Sequence, residues 1–101
     1  MAELVILNFK AAKGKFEDLG NIFKAVLDDT RALEGCLKVE VFADRSTSTY
    51  TLIEEWESLS HQQKYLQWRI ETGIREATKD IIEGGFDKGV TVHTWGKKTD
   101  I

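Results

Sequence analysis

Three observations predict an α+β fold with the element order β-α-β-β-α-β, the ferredoxin-like plan. Short runs rich in β-branched residues alternate with longer runs of helical periodicity. Only a polar turn separates the two middle strands. The two halves of the chain, residues 3–44 and 49–96, share one layout. The short connection makes the middle strands a hairpin. The two crossings then predict a four-stranded antiparallel sheet with helices on one face only.

The first strand is the run Glu3 to Phe9 (ELVILNF), with Leu4 and Ile6 on one face and Val5, Leu7 and Phe9 on the other. A strand apolar on both sides is one buried on both sides. Ala12-Lys13-Gly14-Lys15 turns the chain. From Phe16 the period becomes helical through Leu19, Phe23, Val26, Leu27 and Leu33, with charged residues between them. Glu34-Gly35 closes this helix. The second strand, Cys36 to Ala43, places Leu37, Val39, Val41 and Ala43 on one face, against Cys36, Lys38, Glu40 and Phe42. The turn Asp44 to Thr49 leads to the third strand, Tyr50 to Trp56, whose one face carries Tyr50, Leu52, Glu54 and Trp56. Ser60 with Gln63 matches a capping box, and Ser58 is a second candidate cap. The helix that follows puts His61, Tyr65 and Trp68 on one side. Its apolar stripe runs through Ile70, Ile74, Ala77, Ile81 and Ile82, with a bend at Gly73 and a stop at Gly84-Gly85. A last strand covers about Gly89 to Trp95.

At 101 residues, the chain fits a single domain spanning 1–101. One cysteine excludes an internal disulfide and the usual cysteine-based zinc sites. A net charge of −3 argues against nucleic acid as a partner. No apolar run approaches the roughly 20 residues of a membrane span, so a cytoplasmic protein with no membrane partner is expected. With both helices on one sheet face, the apolar residues on both faces of the first two strands leave a large surface wet in a monomer. A homodimer through the sheet faces is the expected remedy.

Among residues able to carry chemistry, Asn8 interrupts an apolar strand and must be tied to a neighbour or aimed at a ligand. Trp56 closes the third strand just before a helix cap, where it can plug the core or wall a pocket. Glu54 shares its face, either as a solvated or lysine-paired carboxylate or as part of that pocket. His61 and Tyr65 lie one turn apart on the second helix, and a lone histidine is a weak metal signal. His93 reads as a packed or edge residue, and Cys36 as a small apolar one. Phosphate loops, dinucleotide fingerprints, serine elbows and HExxH are absent, so no cofactor has an evident seat.

The segments Thr30-Arg31-Ala32-Leu33-Glu34-Gly35-Cys36, Val39-Glu40-Val41 and Tyr50-Thr51-Leu52-Ile53-Glu54-Glu55-Trp56-Glu57-Ser58 resemble the antibiotic biosynthesis monooxygenase domain. The resemblance implies a dimeric α+β barrel of two ferredoxin-like protomers joined through their sheets. For some members it implies oxygenation of phenols, quinols or anthrones without a cofactor. It matches Asn8 and Trp56 to the pocket-lining asparagine and tryptophan of such oxygenases. Where haem-degrading relatives carry a histidine on the second helix this chain has Tyr65 and Leu66, and where anthrone oxygenases carry a second asparagine it has Leu52. The expected function is therefore a cofactor-independent monooxygenase for an aromatic substrate, with Asn8 and Trp56 catalytic and Tyr65, His61 and Glu54 binding the substrate. A non-catalytic small-molecule binding or sensor domain is the alternative, and haem degradation ranks third. Asn8 and Trp56 are expected to line one cavity between sheet and helices, facing Tyr65 or His61.

Overall fold

The structure, a computed structural model, describes residues 2–101. Its strands are β1 (Glu3–Lys10), β2 (Cys36–Asp44), β3 (Thr49–Trp56) and β4 (Val90–Lys97). Its helices are α1 (Phe16–Arg31), α2 (Leu59–Glu71), α3 (Ile74–Thr78) and α4 (Gly85–Gly89). The sheet runs β2-β3-β1-β4 with every neighbouring pair antiparallel, which is the ferredoxin-like arrangement. Among the described residues no helix is long and apolar enough to cross a membrane.

Strand pairing decides which side chains share a face. Val5, Leu7 and Phe9 of β1 stand opposite Glu54, Leu52 and Tyr50 of β3. Apart from the buried Glu54 they form the core, together with Trp56, Val39 and the α1 residues Leu19, Phe23 and Leu27. Leu4, Ile6 and Asn8 project to the other side, where Ile6 lies in a cross-strand row with Ile53 and His93. That open face also carries Phe42, 55% exposed, and Trp95, 58% exposed, at the two edge strands. The apolar character of both β1 faces therefore has the predicted consequence of an uncovered sheet surface.

Three details depart from the sequence reading. In β2 the register slips between Cys36 and Lys38, leaving Leu37 without a partner and 54% exposed. The bulge turns Cys36 toward the core beside Trp56 instead of setting it opposite Val39. At the start of α2 the cap is Ser58, whose Oγ accepts from the His61 N–H at 3.3 Å, and not Ser60. The third departure is that the second crossing is not one helix to Gly84-Gly85. Gly73 (φ 102°) breaks it, as the bend predicted. The helix resumes as α3 and ends at Thr78, and backbone bonds then tie residues 81–83 to the end of β1. Ala12 N–H donates to Ile81 O and Glu83 N–H to Lys10 O, both at 2.8 Å. Gly84 precedes the short α4 and stops nothing.

Candidate functional site

The C-terminal end of β3, the chain after α1 and the exposed side of α2 meet in a groove of about 330 Å³. Its lining is Leu33, Glu34, Trp56, His61, Lys64, Tyr65 and Trp68. This is the low end of the roughly 300–1,000 Å³ typical of small-molecule sites. Helical spacing brings His61, Tyr65 and Trp68 to one side of α2, as their intervals of four and three require.

Tyr65 is the centre of the wall. Its ring stacks on Trp56 with centroids 5.4 Å apart and lies 6.3 Å from the ring of Trp68. Its hydroxyl is 2.8 Å from Thr30 Oγ1 and accepts from Arg69 Nε at 3.0 Å. Arg69 Nη2 also donates to the Val26 carbonyl (2.8 Å) and to Thr30 Oγ1 (3.2 Å). The phenol is thus fixed by α1, and its ring is part of the groove wall. Arg69 also lies over the Trp68 ring, 4.7 Å from its centroid.

His61 is held at one nitrogen and faces a carboxylate at the other. Nδ1 is 2.7 Å from Ser58 Oγ, and Nε2 is 3.8 Å from a Glu34 carboxylate oxygen. The ring rests on Gly35, whose φ of 85° and missing side chain are both required, because a Cβ there would overlap the imidazole. With Nδ1 engaged by Ser58, Nε2 is the nitrogen left for a ligand.

Trp56 has no exposed surface and backs the floor of the groove. Its indole N–H donates to Glu54 Oε1 at 2.9 Å. Glu54 is neither solvated nor lysine-paired. It is 2% exposed, and burial pushes its carboxyl above the ordinary range, opposed in part by the indole hydrogen bond. It lies behind Trp56, outside the groove, and borders a smaller cavity between sheet and helices. Burial, and after it the Glu54 carboxylate, push the Cys36 thiol up, away from the thiolate that a nucleophile needs.

Asn8 is not in this site. The expectation that it shares a cavity with Trp56 fails because the two stand on opposite faces of the sheet. β1 buries Val5, Leu7 and Phe9 against the helices, so Asn8, of the other parity, is exposed on the open face. There its Oδ1 accepts from Thr51 Oγ1 at 2.6 Å. The structure thus assembles His61, Tyr65 and Trp56 around one groove, with Glu54 behind them and Asn8 apart. Sequence reasoning missed Thr30, Arg69, Glu34 and Lys64. Thr30 and Glu34 stand in a segment that carries the family resemblance, and Arg69 stands four residues after Tyr65 on the same helix face.

The sequence profile of the family described as antibiotic biosynthesis monooxygenase matches residues 4–79. Solved structures show the same fold. A Pseudomonas aeruginosa protein is 19% identical with a TM-score of 0.76, over 97% of this chain and 95% of its own. A candidate antibiotic biosynthesis monooxygenase from Deinococcus radiodurans is 22% identical with a TM-score of 0.74, over 100% of this chain and 98% of its own. A Mycobacterium tuberculosis protein is 17% identical with a TM-score of 0.69, over 99% and 98%. No curated protein matches the chain significantly. At these identities the structures establish the fold, and the profile match establishes the family. The chain belongs to the antibiotic biosynthesis monooxygenase family.

Proposed function

We propose that the chain is a cofactor-independent monooxygenase for an electron-rich aromatic hydroxyl compound, of phenolic, quinol or anthrone type, bound in the groove beside α2. The observation that carries this reading is the groove itself: an aromatic wall of Tyr65 and Trp68, with a histidine held between a hydroxyl and a carboxylate at its rim. Its volume admits an aromatic ligand, whereas the inner cavity, at about 50 Å³, does not.

The chemistry asks little of the protein. His61 Nε2 takes the hydroxyl proton, and Glu34 stabilises the resulting imidazolium. Lys64 adds positive charge near the phenolate. The deprotonated ring supplies the electrons to dioxygen. For an anthrone-type carbon, one oxygen atom replaces two hydrogens as a carbonyl, and the other leaves with those hydrogens as water. Tyr65 and Trp68 hold the ring and keep water off it. Trp56 sets the position of Tyr65 by stacking, and Glu54 orients Trp56. Asn8 has no part in this groove.

The assembly belongs to the same proposal. The family's fold is commonly dimeric, and the open face with Ile6, Ile53, Phe42 and Trp95 supports a homodimer through the sheets. Sedimentation is expected to give twice the chain mass of 11.5 kDa, and the monomer mass at micromolar concentration rejects the dimer.

The functional test follows oxygen uptake with a panel of hydroquinones and anthrones. Uptake above autoxidation is expected for at least one compound, with a loss of about 100-fold or more in His61→Gln. Circular dichroism checks that the variant remains folded. If no compound exceeds autoxidation while ligands still quench tryptophan fluorescence, the protein is a binding module and the monooxygenase reading fails.

A further inference from the structure

Behind the groove lies a second space, a narrow cleft lined by α1, the helix-covered sheet face, α2, α3 and α4. Its volume is about 50 Å³. A water molecule needs about 10–15 Å³ of such space, and an engineered cavity that accepts benzene measures about 150 Å³. The inner cavity is therefore too small for an aromatic ring and large enough for a diatomic or triatomic molecule.

Its wall selects among small molecules. Apolar side chains, among them Leu7, Leu27, Leu52 and Ile82, make most of the lining. Four polar side chains reach it, and each already has a protein partner. Glu54 accepts from the Trp56 indole. Tyr65 is bonded to Thr30 and Arg69. Arg69 donates to Tyr65, Thr30 and the Val26 carbonyl. Thr78 Oγ1 donates to the Ile74 carbonyl at 2.7 Å. An ordered buried water needs two to four polar partners, and apolar cavities of this kind stay dry and take up apolar guests.

Position gives the cavity its meaning. Tyr65 lines both spaces, and the Trp56–Glu54 pair joins the groove floor to the cavity wall. We propose that the cavity between α1, the sheet and α2 is a binding site for dioxygen, one aromatic ring away from the groove that takes the substrate. The biological role of this site rests on the monooxygenase reading; the gas binding itself does not. Stored there, dioxygen waits in an apolar space separated from the aromatic ligand by Tyr65 and the Trp56–Glu54 pair, so the path between the two reactants is short.

The test uses dioxygen itself as the probe, with no substrate present. Methyl groups near bound dioxygen relax faster because it is paramagnetic. Methyl-labelled protein is compared under dioxygen and under nitrogen at equal pressure. Leu27 and Leu52 methyls are expected to show a larger enhancement than those of Val5 and Val39, which are equally buried but lie outside the cavity. Leu52→Phe, which fills the space, should abolish the difference. Val26→Ile adds a single methyl at the wall and should reduce it, and this variant decides the matter if the larger one does not fold. Equal enhancement at all four positions, or a difference unchanged in the folded filling variants, overturns the proposal. If no compound drives oxygen uptake but the enhancement is present, the monooxygenase reading fails and the gas site stands. Uptake without the enhancement removes the gas site and leaves the monooxygenase reading in place.

Discussion

The two long helices lie on the same sheet face but are held there differently. α1 buries Leu19, Phe23, Leu27 and Thr30, and its stripe continues the core laid down by β1 and β3. The residue of α2 that is buried outright is Gln62, an amide. α2 rests on the core through the partly buried Leu59 and Tyr65 and is further held by directional bonds: the Tyr65–Thr30–Arg69 cluster onto α1, Glu3 accepting from the Leu59 N–H at 2.7 Å, and the Ser58 cap. No side chain of the helix that makes the core lines the groove, whereas the one attached by polar bonds gives it His61, Lys64 and Trp68. The symmetric plan of the fold is thus used asymmetrically, one crossing for stability and the other for the site.

The sharpest way to break this contrast is to truncate one residue on each helix. Phe23→Ala removes a ring that packs edge-on against Phe9 and Tyr50, and denaturation should show a loss of about 3–5 kcal/mol. Tyr65→Phe keeps the stacked ring and removes only its hydroxyl bonds, so the global loss should be about 1 kcal/mol. Hydrogen exchange should then accelerate in α2 while α1 stays protected. Comparable losses from the two variants, or uniform acceleration, would remove the distinction.

A smaller effect sharpens it. Burial raises the proton affinity of Glu54 in the folded protein above its value in the unfolded chain. Below the unfolded range of about pH 4.3 both states are protonated, and the carboxyl costs folding no ionisation energy. As pH rises, the unfolded chain ionises first, so stability falls until the folded carboxyl ionises too. Glu54→Gln keeps an acceptor for the indole and cannot ionise. Its urea midpoint relative to the parent protein should be higher at pH 8 than at pH 4. A difference independent of pH would show that burial does not govern this group.

Much of the architecture is legible in the sequence because it depends on local periodicity. The alternation in β1 and β3, the polar turn between β2 and β3, the stripe of α1 and the break at Gly73 are all written in runs of a few residues. The site is legible only in part. His61, Tyr65 and Trp68 share a helix side by spacing alone, and Trp56 shares a strand face with Glu54. Which face of β1 joins that face of β3 is a matter of cross-strand register. A strand apolar on both sides does not declare it, so reading from sequence puts Asn8 on the wrong side. Thr30 and Arg69 escape notice because a threonine and an arginine on helices read as solvent-facing. Their burial arises only when two helices distant in sequence are laid side by side.

The bonds from Tyr65 and Arg69 to α1 have a consequence for traffic through the molecule. Three hydrogen bonds, some of them to a charged group, are together worth on the order of 3–5 kcal/mol. A latch of that strength, taken alone, stands open in roughly one molecule in a few hundred to a few thousand. Such a population is far too small to alter the average structure. It is nonetheless frequent enough for this end of α2 to part from α1 many times over the life of one folded chain, with the core beneath α1 undisturbed.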